Sequence, residues 1–152
     1  MVSRIHVDRG PAVPGLPAVR SIRAWIRAAL ATQARTSGEI AVRIVGEAEM
    51  RTLNARFRHK DSVTNVLAFR AELPPGVNVP LLGDIVVCAP VVAREAREQH
   101  KSRRAHWAHL FVHGALHLLG HDHQRPRAAT TMEALETRIL AALGFPDPYR
   151  AS

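Results

Sequence analysis

The stretch "LLGDIVVCAP", residues 81–90, decides the fold. Its apolar run is nearly continuous, so it reads as a strand at the centre of a sheet. Pro90 suits the first turn of a following helix, where its missing N–H costs nothing. Downstream, "VVAREAREQHK" (91–101) supplies that helix and "SRRAHWAHLFVHGALHLLG" (102–120) a longer one. Ser102 is placed to cap its start and Gly120 to end it. "HDHQRPRAA" (121–129) reads as loop, and "TTMEALETRILAALG" (130–144) as a last helix with Met132, Leu135, Ile139 and Leu143 on one stripe. The tail "FPDPYRAS" is expected to fray.

Upstream, "RAELPPGVNVP" (70–80) is a Pro- and Gly-broken loop, "VTNVLAF" (63–69) a strand and "RHKDS" (58–62) a polar turn. "EAEMRTLNARF" (47–57) reads as a helix. "EIAVRIV" (39–45) reads as a strand with Ile40, Val42 and Ile44 on one face and Arg43 on the other. "TSG" (36–38) breaks a helix over 18–34, whose Val19, Ile22, Trp25, Ile26 and Leu30 recur at helical spacing. "GPAVPGLP" (10–17) is loop and "RIHVDR" (4–9) a short strand. The sum is an α+β fold, about four strands and five helices in a single domain over 1–152. The early strand–helix–strand–helix order allows parallel pairing, and the closely spaced later strands make the sheet mixed.

The chain's 152 residues suffice for one domain with a real core. No internal repeat is visible, and no apolar run approaches the ~20 residues that a membrane span requires. The start turns polar too early for a signal peptide. Cys88 is the lone cysteine, so a disulfide framework is excluded and a cytoplasmic setting is expected. The net charge is +8, and Lys60 and Lys101 are the only lysines among 21 basic residues. High-GC codon usage accounts equally well for that arginine bias, but not for the net charge, which favours a polyanionic partner such as nucleic acid.

Chemistry concentrates in "HGALHLLGHDH" (113–123). His113 and His117 are one helical turn apart on one face, where two imidazoles can converge on one zinc ion. Two histidines at that spacing are commonly just packed and hydrogen-bonded. Here Gly120 lets the chain turn sharply, so that His123, or alternatively His121, can return as a third ligand. Three protein ligands leave a coordination position open, the catalytic rather than the structural arrangement. His109 continues the stripe, but successive turns are ~5.4 Å apart, so a third ligand on one straight helix surrounds an ion poorly. Asp122 is a candidate for orienting a ligand imidazole. Position 114 is Gly, where a zinc peptidase of the H-E-x-x-H kind has its general base, so peptide hydrolysis is unattractive. A zinc deaminase is excluded because P-C-x-x-C is absent. Phosphodiester cleavage stays open, with Arg58 in "NARFRHKDSVTNVLAF" (54–69) as the arginine to neutralise phosphate charge. Asp84 reads as a buried acid at a strand start, with a hydrogen-bonding role.

Together these segments resemble the YbeY family of bacterial rRNA maturation factors, described as zinc-dependent endoribonucleases. The family pattern H-G-x-L-H-L-x-G-[YH]-D-H is matched by "HGALHLLGHDH", and N-x-x-[FY]-R-x-K-D-x-x-T-[DN]-V-L-[SA]-F by "NARFRHKDSVTNVLAF". "LLGDIVVC", "EAREQHKSRRAHWAHLFVHG" and "MEALETRILAALGFPDPY" match as well, so the resemblance spans roughly residues 38–149. It implies a mixed sheet packed by helices, with a metzincin-like zinc helix at the mouth of a cleft. It implies one zinc ion held by His113, His117 and His123, with Arg58 acting beside it on the scissile phosphate. His121 stands where the family commonly has Tyr, and Asn65 where it often has Asp, so neither role transfers. The implied activity is single-strand-specific endoribonucleolytic cleavage in 3′-end maturation of small-subunit (16S) rRNA and in ribosome quality control. Lys60, Arg103 and Arg104 are candidates to guide the RNA backbone. The implied partners are the rRNA precursor and the ribosome, with a ribosomal protein or assembly GTPase as protein partner, and neither membrane nor DNA. Two other readings compete. One is a non-catalytic, zinc-stabilised ribosome-associated RNA-binding factor. The other is a metal-dependent hydrolase of peptides or small molecules, which Gly114 and the net charge disfavour.

Overall fold

The computed structural model describes residues 4–10, 13–33, 38–77, 81–121 and 124–150. In chain order its elements are β1 (Arg4–Asp8), α1 (Val19–Leu30), β2 (Glu39–Val45), α2 (Glu47–Arg58), β3 (Val66–Arg70), β4 (Leu81–Cys88), α3 (Ala89–Glu98), α4 (Arg103–Leu118) and α5 (Pro126–Ala142). The four strands make one sheet in the order β1-β2-β4-β3. β1, β2 and β4 are parallel, and β3 closes the far edge antiparallel to β4. The sheet is therefore mixed, and β4 is internal as its apolar run implies.

Alternation along β4 feeds two cores. Ile85 and Val87 face a large one built with Ile40, Val42 and Ile44 of β2 and with α1, α4 and α5. Val86 and Cys88 face a smaller one with Met50 of α2 and Val91 of α3. The sheet thus lies between two helical layers. Ile22, Trp25, Ile26 and Leu30 are buried as the α1 stripe predicts. Burial of each such side chain stabilises the fold by about 1.5–3 kcal/mol. Trp25 packs on Phe111 and Phe145, with ring centroids 6.4 and 5.9 Å away.

Asp84 departs from expectation because it is exposed. It lies at the β3–β4 pairing opposite Phe69. The smaller core covers this face of β4 only at Val86 and Cys88, so the carboxylate stays in water. Its neighbour Gly83 is structurally required: its φ is +147°, and a Cβ there would fall 2.0 Å from the Phe69 carbonyl oxygen. The β2–β4 register shifts at this point, with Glu39 opposite Leu81 and Ile40 opposite Gly83.

Some boundaries move. α5 starts at Pro126, not 130, because proline preset to helical φ opens a helix as readily as it ends one. β3 starts at Val66, not 63. Among the described residues, no helix is long and apolar enough to cross a membrane.

Candidate active site

The site is carried by α4, which is buried along most of its length. The Ser102 hydroxyl accepts from the Ala105 N–H at 3.1 Å and caps its start. At its end Gly120 takes φ +100°, its N–H donates to His117 O, and the His121 N–H donates to Leu116 O. These two bonds are the Schellman pair that ends a helix on a left-handed glycine. The predicted stop is thus real, and it lies beside the histidine cluster.

His106, His109, His113 and His117 run along α4 as a stripe, with ring centroids 6.3 Å apart for the first two neighbouring pairs. Two carboxylates face it. Glu136 of α5 is fully buried, yet it is not isolated. Its Oε1 accepts from His113 Nδ1 at 2.6 Å, and its Oε2 accepts from His109 Nε2 at 3.1 Å and from the Tyr149 hydroxyl. Burial alone would push this carboxyl up, but the bonds from His109, His113 and Tyr149 hold it down at about 2. Burial and the adjacent carboxylate raise the Tyr149 phenol, which keeps it a donor. Glu95 of α3 receives His106 Nε2 at 2.9 Å and Asn65 Nδ2 at 3.1 Å. Burial holds the His106 imidazole below its ordinary pKa against the pull of Glu95.

These bonds sort the histidines. A ring nitrogen paired to a carboxylate carries the proton, so the neutral tautomer of His113 that fits this bond has its lone pair on Nε2, the form that ligates metal. His109 commits Nε2 to Glu136 and Tyr149, and its Nδ1 is buried with no partner among the described residues. It therefore belongs to the support of the site, as its place on one straight helix implies. Asn65, left outside the catalytic set, is a hydrogen-bond partner of Glu95.

Arg58 ends α2. His59 then takes the left-handed conformation, φ 56°, and reverses the chain. Asn54, 3% exposed, anchors the turn by donating Nδ2 to Ser62 O at 3.0 Å. The result brings together residues far apart in sequence. A cavity of about 30 Å³ is lined by Arg58, Val66, Ala68, His113, Gly114 and His117. A polar one of about 280 Å³ is also lined by Arg58 and His113, with Lys60 and Asn65 among its walls. Both lie along β3, the edge of the sheet. Arg103 and Arg104 line neither: Arg104 lies over Trp25, its guanidinium carbon 5.0 Å from the ring centroid.

Gly114 faces the sheet. A Cβ there would sit 3.0 Å from Ile85 Cγ2, so the glycine lets α4 pack closely on β4. A glutamate at this position would start its side chain against Ile85. His123 and Asp122 lie outside the described residues, and among the described residues no group of three or more His, Cys, Asp or Glu could hold a metal ion. The donors present nevertheless suit zinc: two imidazoles share one cavity, and one is oriented by a buried carboxylate, the usual support of a ligating histidine.

Sequence reasoning passed over Glu136, Tyr149, Glu95 and Asn54. For Glu136 a signal existed, since an acid four residues from Met132 and three from Ile139 sits on the buried stripe of α5.

Comparison with known proteins agrees on one family. Residues 17–144 match the family described as Endoribonuclease YbeY. A protein named Endoribonuclease YbeY from Cellvibrio japonicus is 53% identical over 146 residues, covering 96% of this chain and 82% of its own. The protein of that name from Nitrosococcus oceani is 50% identical, covering 97% of both chains. The solution structure of TM1509 from Thermotoga maritima shares the fold at a TM-score of 0.59 and 22% identity, over 96% of this chain and 99% of that one.

Proposed function

The chain belongs to the YbeY family of endoribonucleases, and from that premise we propose that Arg58 acts on a scissile RNA phosphate beside a zinc ion that α4 would help to hold. Family membership makes it an RNA-cleaving enzyme of rRNA maturation and ribosome quality control. The proposal adds the residues. His113, His117 and His123 hold the metal, as on the zinc helix of the metzincins. The observation that carries it is the cavity shared by Arg58, His113 and His117.

A bound zinc ion supplies Lewis acidity toward a phosphoryl oxygen and toward water. The chain supplies the rest. Glu136 fixes the His113 ring by accepting from Nδ1. The Arg58 guanidinium neutralises charge that builds on the phosphate, where a planar fork matches two oxygens. Lys60 holds the backbone in the polar cavity, and Asn54 fixes the turn that presents both. With glycine at 114, the chain places no carboxylate beside His113 in the manner of the zinc peptidases. Preference for single strands follows from access to a narrow cavity at the β3 edge rather than from base reading. The substrate is the 3′ extension of small-subunit rRNA, the whole chain works as one endoribonuclease domain in the cytoplasm, and a ribosomal protein or assembly GTPase is its protein partner.

The test is cleavage of a small-subunit rRNA precursor bearing a single-stranded 3′ extension. Wild type, chelated wild type and the His113→Ala and Arg58→Ala variants are compared after identical purification. Zinc-restorable cleavage, lost in both variants, is the expected result. Undiminished cleavage by His113→Ala refutes the proposal.

A further inference from the structure

The connections of the sheet diverge at one point. The chain leaves β1 for α1 on the face of the large core, and it leaves β2 for α2 on the opposite face. In sheets with parallel strands, such divergence opens a crevice beyond the carboxyl ends of the strands, and ligands bind there. A crevice is present. A cavity of about 300 Å³ lies past the ends of β1, β2 and β4, walled by Leu16, Val45, Ala93 and Trp107, with Arg9 and Arg103 among its lining. It shares no lining residue with the two cavities of Arg58 and His113.

Its chemistry is specific. The walls named are apolar, and Trp107 is a flat ring stacked on Phe111 at 5.8 Å. Both arginines are exposed, and neither has an ion pair with a carboxylate among the described residues. Arg103 is drawn over the loop after β1, where a Cβ at Gly15 would meet its Nη1 at 2.8 Å. Two unpaired guanidiniums beside a small apolar chamber suit a compact apolar body carrying one multidentate anion, which guanidinium binds in a fork. The volume is at the low end for ligand pockets, enough for one small molecule and too little for a folded segment.

We propose that this crevice is a second ligand site, which takes a single nucleotide with its base in the apolar chamber and its phosphate on Arg9 and Arg103. The nucleotide is either a free mononucleotide or an unstacked residue of a bound RNA strand. The site draws Arg103 and Trp107 from the first turns of α4, lies away from His113 and His117 at the other end of that helix, and does not rest on the cleavage chemistry.

Calorimetric titration of the full chain with adenosine 5′-monophosphate tests it, with adenosine and inorganic phosphate as controls. One equivalent of the nucleotide is expected to bind more tightly than either control. The double variant Arg9→Gln, Arg103→Gln should weaken it at least about ten-fold, and Ala93→Phe, which fills the chamber from the surface of α3, should abolish it. His113→Ala and chelation should leave it unchanged, so its outcome is separable from that of the cleavage test. A single-stranded oligonucleotide distinguishes the sources: affinity that falls in the same variants assigns the site to RNA, and unchanged affinity assigns it to the free nucleotide. No binding of the nucleotide, binding that survives Ala93→Phe in a folded protein, or preference for an acidic apolar peptide over the nucleotide overturns the proposal.

Discussion

Replacing Glu136 by Gln keeps the shape of the side chain and removes its charge. The carboxylate is fully buried and accepts from His109, His113 and Tyr149. Gln offers one oxygen acceptor and an NH2 group in place of the other, so at least one donor faces another donor. Hydrogen bonds to charged groups contribute about 1.5–3 kcal/mol each, and an unsatisfied buried group costs about 1–3 kcal/mol. The variant should therefore lose about 2–4 kcal/mol. For a chain of this size that is a fall in Tm of about 4–16 °C. The more telling effect is on metal. Loss of the partner that orients a ligating histidine lowers metal affinity about 10–100-fold. Competition with a chromophoric chelator measures that affinity on folded protein, without reference to activity. Tyr149→Phe is the control, since it removes one bond to Glu136 and leaves the His113 contact in place. It should cost about 1 kcal/mol and weaken zinc binding less than Glu136→Gln does. Zinc affinity of Glu136→Gln within about two-fold of wild type would refute the orienting role and leave Glu136 a structural group only.

Other expectations follow from the same geometry. Gly114→Glu does not create a zinc peptidase: overpacking against Ile85 should cost about 1–3 kcal/mol, read as a lowered Tm, and a peptide substrate should remain intact. Arg58→Lys keeps the charge and loses the fork, so the rate of RNA cleavage should fall well below wild type while Tm changes by little. Asn54→Ala strands the turn before Ser62; a stability loss of about 1–3 kcal/mol and reduced cleavage are expected, with zinc affinity unchanged by chelator competition. Removing zinc from the wild type should lower its Tm, and re-addition should restore it in proportion to ln(1 + [Zn]/Kd).

Much of this was legible in the residues. β4 shows itself by an apolar run that serves two cores, and α4 by its Ser102 cap and Gly120 stop. The pairing of His113 with His117 follows from helical spacing alone, and Arg58 was a candidate from its basic turn before the family resemblance pointed to the same residue. What the sequence concealed lies across long separations. Glu136 meets His113 from 23 residues away, and Asn65 meets Glu95 from 30. No local periodicity reports such pairs. Asp84 was misjudged because an acid within an apolar run looks buried, whereas the covering layer ends just short of it. The tail was misjudged because proline-rich ends usually fray. Here Lys101 Nζ donates to Pro148 O at 2.5 Å, and Tyr149 turns its hydroxyl inward to Glu136.

That docked tail bears on when the enzyme becomes competent during synthesis. Tyr149 is translated long after His113 and after Glu136 itself. Until Tyr149 has been made and has docked, the Glu136 carboxylate lacks its phenol partner, and His109 and His113 lean on a group held by fewer bonds. The sheet can close once β4 has been made, but the histidine cluster reaches its full set of bonds only after this later residue arrives. Order of synthesis thus sets the scaffold before the site it carries.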